Sequence, residues 1–209
     1  MIDGTDVTYE LTLTEPMLGS KPSNAGVFTD YIATRKIDGL DGEELKAAEE
    51  AEDRVKESMT IFHRMEDGKT PMIWNYQLLG FCKDACGGLR RVPGTKSAEL
   101  KAYKSVIDAT LFIGPRKIPL ILPEGGEVGV FERPLRAETA QGPRVALAKS
   151  ETVPPGTKIV FTAKFLNKAL RKTFEEWLDY GELRGLGQFR NGSYGRFTWK
   201  EVEAEDKAE

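Results

Sequence analysis

The chain has 209 residues, 40 % of them apolar and 30 % charged, with 21 glycines and 11 prolines; this is a soluble globular composition, long enough for one substantial core, and it excludes fibrous and wholly disordered classes. No apolar run nears the roughly 18 residues that cross a bilayer, the opening MIDGTDVTYE has no basic-then-apolar signal pattern, and two cysteines are too few for a secreted disulfide framework, so we expect a cytoplasmic protein with reduced thiols. The net charge of −3 hides three blocks: residues 1–85 carry 9 Lys and Arg against 17 Asp and Glu, residues 86–200 carry 20 against 11, and residues 201–209 carry 1 against 5, or −8, +9 and −4. A basic body of this kind attracts phosphates through its local field, although charge blocks also occur as plain solvated faces.

Val7, Tyr9, Leu11 and Leu13 alternate with Thr8, Glu10, Thr12 and Thr14, the period-two pattern of a strand with one buried face. Pro, Gly and Asn between residues 15 and 24 break it, and Asp41 to Arg64 reads as a charged helix with only Leu45, Val55, Met59 and Phe62 as apolar positions. Such a helix has little to bury, and we expect an acidic helical insertion over residues 20–64. Pro71 to Trp74 is extended and apolar; Asn75 is placed to cap a helix with Leu78, Leu79, Cys82 and Cys86 on one stripe. Beyond Gly87-Gly88 and an irregular basic stretch, strands are expected over Val106 to Ile113, Ile118 to Leu122, Val128 to Leu135, Val145 to Ala148 and Lys158 to Leu166. A helix from Asn167 or Lys168 to Tyr180 follows, with Leu170, Phe174, Trp177 and Leu178 inward, then a final alternating strand from Tyr194 to Val202. Residues 203–209 are acidic, have no apolar anchor and should be disordered. This order predicts an α+β fold, one domain over 1–202, with an antiparallel sheet and packed helices.

The densest information lies in residues 184–197, where four glycines, three arginines and three aromatics share fourteen positions. Gly185, Gly187, Gly192 and Gly195 permit close backbone approach to a sugar-phosphate chain. Arg184, Arg190 and Arg196 can pair with phosphates, Phe189 and Tyr194 offer faces for base stacking, and Gln188 and Asn191 add polar contacts. Together these point to single-stranded nucleic acid. No Gly-Lys-Ser/Thr closes the loop and no dinucleotide-binding βαβ unit follows it, which argues against a mononucleotide site; a glycine-rich hairpin with solubilising arginines remains the structural alternative.

Gly185-Leu186-Gly187, five residues and then Ser193-Tyr194-Gly195 resemble the C-terminal glycine-rich loop of the RAMP superfamily, the RNA-binding subunits and processing ribonucleases of CRISPR systems; Ser193 stands where that pattern has glycine. Thr12 to Gly19 is similar to the family's first strand and turn, and Arg144 to Phe161 to its late strand pair. Pro71, Ile73, Leu78 and Gly80 match its Pro-x-Ile-Pro, Ser-Ser-Leu-Lys-Gly segment, while Trp74, Tyr76, Gln77 and Leu79 replace Pro, Ser, Ser and Lys. Residues 20–60 fall outside the resemblance. It implies a ferredoxin-like, RNA-recognition-motif-like sheet with the glycine-rich loop near RNA, most like the subunits that polymerise along guide RNA, with other protein subunits or further copies as partners. Arg133, Arg136, Arg144, Lys149 and Lys164, on or beside expected strands, are the next candidates for backbone contacts.

Catalytic and metal readings are thinner. His63 is the only histidine, and Cys82 and Cys86 on an apolar stripe read as small core residues, so we expect no metal and no cofactor. As an acid or base for metal-independent RNA cleavage His63 needs a charge-stabilising partner, with Arg64 or Lys69 near in sequence. Guide-RNA backbone subunits that cut target RNA carry an aspartate between the first strand and first helix; Asp30, Asp38, Asp41 and Asp67 fall there, and Asp67 before Gly68 also reads as a turn residue. The expectation is single-stranded RNA binding without cleavage by a RAMP-like protein, with an endoribonuclease, or a protein-interaction module docking through the acidic helix, as alternatives.

Overall fold

In a computed structural model, residues 4–23, 59–139 and 142–203 are described. In chain order the elements are β1 (Thr5–Leu13), β2 (Met17–Leu18), β3 (Lys21–Pro22), β4 (Met59–Ile61), β5 (His63–Arg64), β6 (Pro71–Trp74), α1 (Asn75–Leu89), α2 (Lys96–Glu99), α3 (Tyr103–Thr110), β7 (Leu111–Gly114), β8 (Lys117–Ile121), β9 (Gly129–Thr139), β10 (Gly142–Val153), β11 (Lys158–Phe165), α4 (Leu170–Arg184) and β12 (Phe197–Val202). They fall into two compact units: Met1–Met17 with His63–Glu127 and Val153–Glu209, and Leu18–Phe62 with Val128–Thr152.

In the first unit, period-two alternation puts Val7, Tyr9, Leu11 and Leu13 of β1 on one buried face. β1 lies between β12 and β11, antiparallel to both, with Tyr9 opposite Phe161 and Leu13 opposite Phe197. The sheet continues from β11 through β8 and β6 to β5, and β7 also pairs with β11. With β7 and β8, which pair with successive parts of β11, taken as one interrupted strand, the path β1, α1, β7–β8, β11, α4 and β12 runs strand, helix, two strands, helix, strand; the last strand lies beside the first, which lies beside the third. This is an α+β fold with ferredoxin-like order.

The two long helices supply the apolar cover. α1 buries Leu78, Phe81, Cys82, Ala85 and Cys86, and α4 buries Leu170, Phe174, Trp177 and Leu178. Phe174 sits 5.2 Å from the Tyr9 ring and 5.3 Å from Phe165, centroid to centroid, and Phe81 meets Phe197 at 5.5 Å. Each such pair contributes about 0.5–1.5 kcal/mol beyond its buried area. Cys82 and Cys86 are buried free thiols in this core, and burial pushes the Cys82 thiol up, away from the reactive thiolate. The polar face of β1 carries Glu10, which accepts from Lys158 on β11 and Lys200 on β12 at 3.4 and 3.1 Å.

Several expected boundaries shift. Val106 to Thr110, expected as strand, is the end of α3, with only Leu111 onward extended; burial of Ile107 on that helix outweighs the β-preference of Val106 and Ile107. Gly87-Gly88 continues α1 instead of ending it, and the missing side chains leave room for neighbouring tyrosines: a Cβ would come within 3.0 Å of the Tyr103 hydroxyl at Gly87 and 3.3 Å of the Tyr180 hydroxyl at Gly88. Trp74, not Asn75, is the N-cap of α1: its N–H donates to Gln77 Oε1, while Asn75 Nδ2 donates to the Ile113 carbonyl. α4 runs one turn past Tyr180, and the last strand begins at Phe197 instead of Tyr194.

The second unit is built on a long antiparallel hairpin, β9 and β10, in which Arg133 lies opposite Ala148, Arg136 opposite Val145 and Arg144 opposite Ala137. β10 pairs in parallel with β4, and β3 pairs with β4. The expected acidic helix is corrected at its end: residues 59–61 are strand, held by Thr60 Oγ1 donating to Ser150 Oγ and by the Phe62 N–H donating to Glu151 Oε2; residues 63–64 are also strand, in the first unit. β-branched Thr60 and Ile61 suit a ladder better than a helix. The rest of that helix, with Asp30, Asp38 and Asp41, lies outside the described residues, as does the tail from residue 204.

Candidate nucleic-acid interface

The glycine-rich segment leaves α4 at Gly185 and returns at Gly195, and the two ends are tied together. The Gly185 N–H caps the helix by donating to the Gly181 carbonyl, the Leu186 N–H donates to the Gly195 carbonyl, and the Gly195 N–H donates to Pro16 after β1. Both glycines have positive φ and are buried. A Cβ on Gly195 would lie 1.8 Å from the Leu186 carbonyl oxygen, and one on Gly185 would lie 2.3 Å from that of Tyr194. Their lack of a side chain therefore serves backbone-to-backbone packing at the neck.

The crown of the loop is different. Gly187 (φ +89°) and Gly192 are exposed. Arg190–Gly192 form a single 3-10 turn flanked by Phe189 and Ser193, both in the left-handed region. Phe189, 37 % exposed, lies against Tyr194 at 5.4 Å and 30°. A Cβ on Gly192 would meet the Phe189 ring at 2.4 Å, so glycine there leaves room for the ring. Gln188 is half-buried beside them, and Asn191 is exposed.

Two of the three arginines converge on one carboxylate. Arg184 Nε and Arg190 Nη1 donate to Asp84 Oδ2 of α1 at 3.0 and 2.8 Å, and Arg184 Nη1 also donates to Asn191 Oδ1. The Asp84 carboxylate beside it raises the Arg184 pKa above the ordinary guanidinium range. Two guanidiniums on one carboxylate leave an excess positive charge and several N–H donors unused by these bonds. Arg196 serves through its backbone, its carbonyl accepting from the Thr14 and Glu15 N–H groups, while its Nε is a buried donor without a partner among the described residues. Asp84 was not singled out in the sequence; one acidic residue on a long helix carries no local signal of what folds against it.

The other candidates lie on other elements of the chain. Arg133, Arg136 and Arg144 belong to the β9–β10 hairpin of the second unit. Lys149, on the same hairpin, pairs with Glu132 at 2.9 Å, and Lys164 on β11 with Asp6 at 3.6 Å. His63 is half-buried in β5, its ring edge-on to Trp74 at 5.5 Å. Asp67 makes the turn that leads into β6: its Oδ1 accepts from the Lys69 and Thr70 N–H groups and its Oδ2 from the Thr70 hydroxyl, and that hydroxyl bond, with the backbone donors, holds its carboxyl below the usual range. No group of three potential metal-ligating side chains occurs among the described residues, and no helix among them is long and apolar enough to cross a membrane.

No protein-family model matches the chain, and no curated protein matches it. Solved structures share its fold. A chain of the cryo-EM structure of the type III-B Cmr-beta bound to cognate target RNA superposes over 96 % of this chain with TM-score 0.56 and 12 % identity; this chain spans 60 % of that one. A chain of a type IV-B CRISPR complex superposes over 98 % of this chain and 93 % of its own length, with TM-score 0.51 and 10 % identity. At these identities the likeness establishes the common fold.

Proposed function

We propose that this protein binds single-stranded RNA, without cutting it, as a subunit of a CRISPR effector complex or as a relative that engages one. The observation that carries the reading is the crown of the glycine-rich loop: an exposed Phe189 lying against the half-buried Tyr194, beside the cationic fork of Arg184 and Arg190, all held on a neck that is hydrogen-bonded to the first strand's turn. Aromatic faces accept bases of any sequence and guanidiniums accept phosphates, so the pair suits a strand read by its backbone and stacking. The shared fold with chains of two CRISPR complexes supports the setting.

Fluorescence anisotropy with a labelled single-stranded RNA tests this. Binding should weaken steeply with salt; Phe189→Ala should cost about 5-fold or more in affinity, the effect of losing one stacked base, and Arg190→Ala should flatten the salt slope by about one unit. Absence of binding at low salt rejects the reading, and RNA cleavage that His63→Ala abolishes in a folded protein replaces it with the nuclease.

A further inference from the structure

A second group of aromatic and cationic side chains stands at the start of α1, outside the glycine-rich loop. Tyr76 is 59 % exposed and lies nearly parallel to the Trp74 indole, at 13° and 6.2 Å. The Arg116 guanidinium lies over the Trp74 ring at 5.5 Å, and His63 meets the same ring edge-on. Trp74 is anchored by its own backbone bond to Gln77 and by the β6 pairing with Lys117, so the indole forms a fixed base against which the tyrosine rests. One face of Tyr76 thus rests on Trp74 while the ring stays largely open to solvent beside a guanidinium, an arrangement that a further planar group can extend.

The position of this group relative to the loop matters. Tyr76, Gly80 and Asp84 succeed one another at four-residue intervals along α1, so they follow one stripe of the helix, and Asp84 is the residue that holds Arg184 and Arg190. Eight residues at 1.5 Å rise separate Tyr76 from Asp84 by about 12 Å. Between them Gly80 is exposed, with no atom beyond its chain neighbours and its own helical backbone within 4 Å of where its Cβ would be. A glycine in a helix interior costs about 1 kcal/mol against alanine, and here nothing in the fold requires it. The stripe is thus an open track with a stacking surface at one end and the cationic loop at the other. The first turn of α1 has no acidic side chain, which leaves the positive end of the helix uncompensated beside Arg116.

We propose that Tyr76, backed by Trp74 and Arg116, is a second stacking platform that takes an unpaired nucleobase of the strand leaving the glycine-rich loop, which passes over Gly80. This rests on the single-stranded reading above and extends it to a particular surface. Acidic partners of any kind would satisfy Arg116, but a planar base satisfies the exposed tyrosine face and the open track together.

The test compares a labelled single-stranded RNA with an oligomer of the same length made abasic throughout, each titrated against the full chain by anisotropy. Tyr76→Ala should weaken binding of the base-bearing strand about 5-fold or more and leave the abasic strand's affinity unchanged; Tyr76→Phe, which keeps the ring, should restore wild-type affinity. Equal binding by Tyr76→Ala and wild type, with Phe189→Ala still impaired, overturns the platform while leaving the loop reading intact. No RNA binding by wild type overturns both. Self-association in sedimentation that Tyr76→Ala abolishes, with RNA affinity unchanged, assigns the surface to protein contact and also overturns the platform.

Discussion

At the neck of the glycine-rich loop Gly185 and Gly195 are buried against backbone, whereas at its crown Gly187 and Gly192 are exposed around an aromatic pair. The same residue type in one short segment therefore does two jobs. The neck glycines let two chain segments touch, with φ values of +76° and +72° that L side chains avoid. At the crown, Gly192 makes room for the Phe189 ring. A glycine count alone does not separate these roles; only the atoms facing each Cα do.

The largest expected effect is at the neck. Gly195→Ala places a methyl inside the Leu186 carbonyl at a positive φ, and should lower stability by about 3 kcal/mol or more in urea denaturation; a loss under about 1 kcal/mol would mean the neck is open and the contrast false. Gly192→Ala, at the crown, should cost under about 1 kcal/mol because the Phe189 ring can move, yet weaken RNA binding, as read by anisotropy. Asp84→Asn sharpens the division of charge: it frees Arg184 and Arg190, so RNA affinity should rise and its salt dependence steepen, while stability changes by less than about 1 kcal/mol because the pair is partly exposed. Gly80→Ala, outside the loop, should stabilise the protein by about 1 kcal/mol in the same denaturation assay.

The smallest effect concerns pH. Desolvation raises the Glu10 carboxyl, but bonds from Lys200 and Lys158 outweigh it and the folded pKa lies below the ordinary glutamate value. The folded state thus binds the proton less readily than the unfolded chain, so Glu10 contributes stability above the ordinary carboxylate pKa, and the contribution is lost as pH falls through the lower folded one. Glu10→Gln should therefore flatten the acid limb of a stability–pH curve measured by thermal melting, with little change in its shape at alkaline pH.

Local patterns foretold much of this molecule. The buried face of β1 follows from its strict alternation and the inner face of α4 from Leu170, Phe174, Trp177 and Leu178 at helical spacing, while the crowding of Gly, Arg and aromatic residues over 184–197 names the segment whose role the binding measurements test. These depend on neighbours in the chain, which a reader of the residues has in hand. Val106 to Thr110 misleads because its β-branched residues have a local preference that packing overrules.

What the tertiary structure decided is which distant residues meet. Asp84 lies 100 and 106 positions from the arginines it binds, Arg116 comes over an indole at position 74, and Gly195 packs against the carbonyl of Leu186 across the loop, where a Cβ has no room. Residue chemistry alone determined that cationic and aromatic residues crowd one segment near the end of the chain. How much of that charge is already neutralised, and which glycines are sealed, is a matter of close contact at ångström range, and contact between remote segments is created only by the fold.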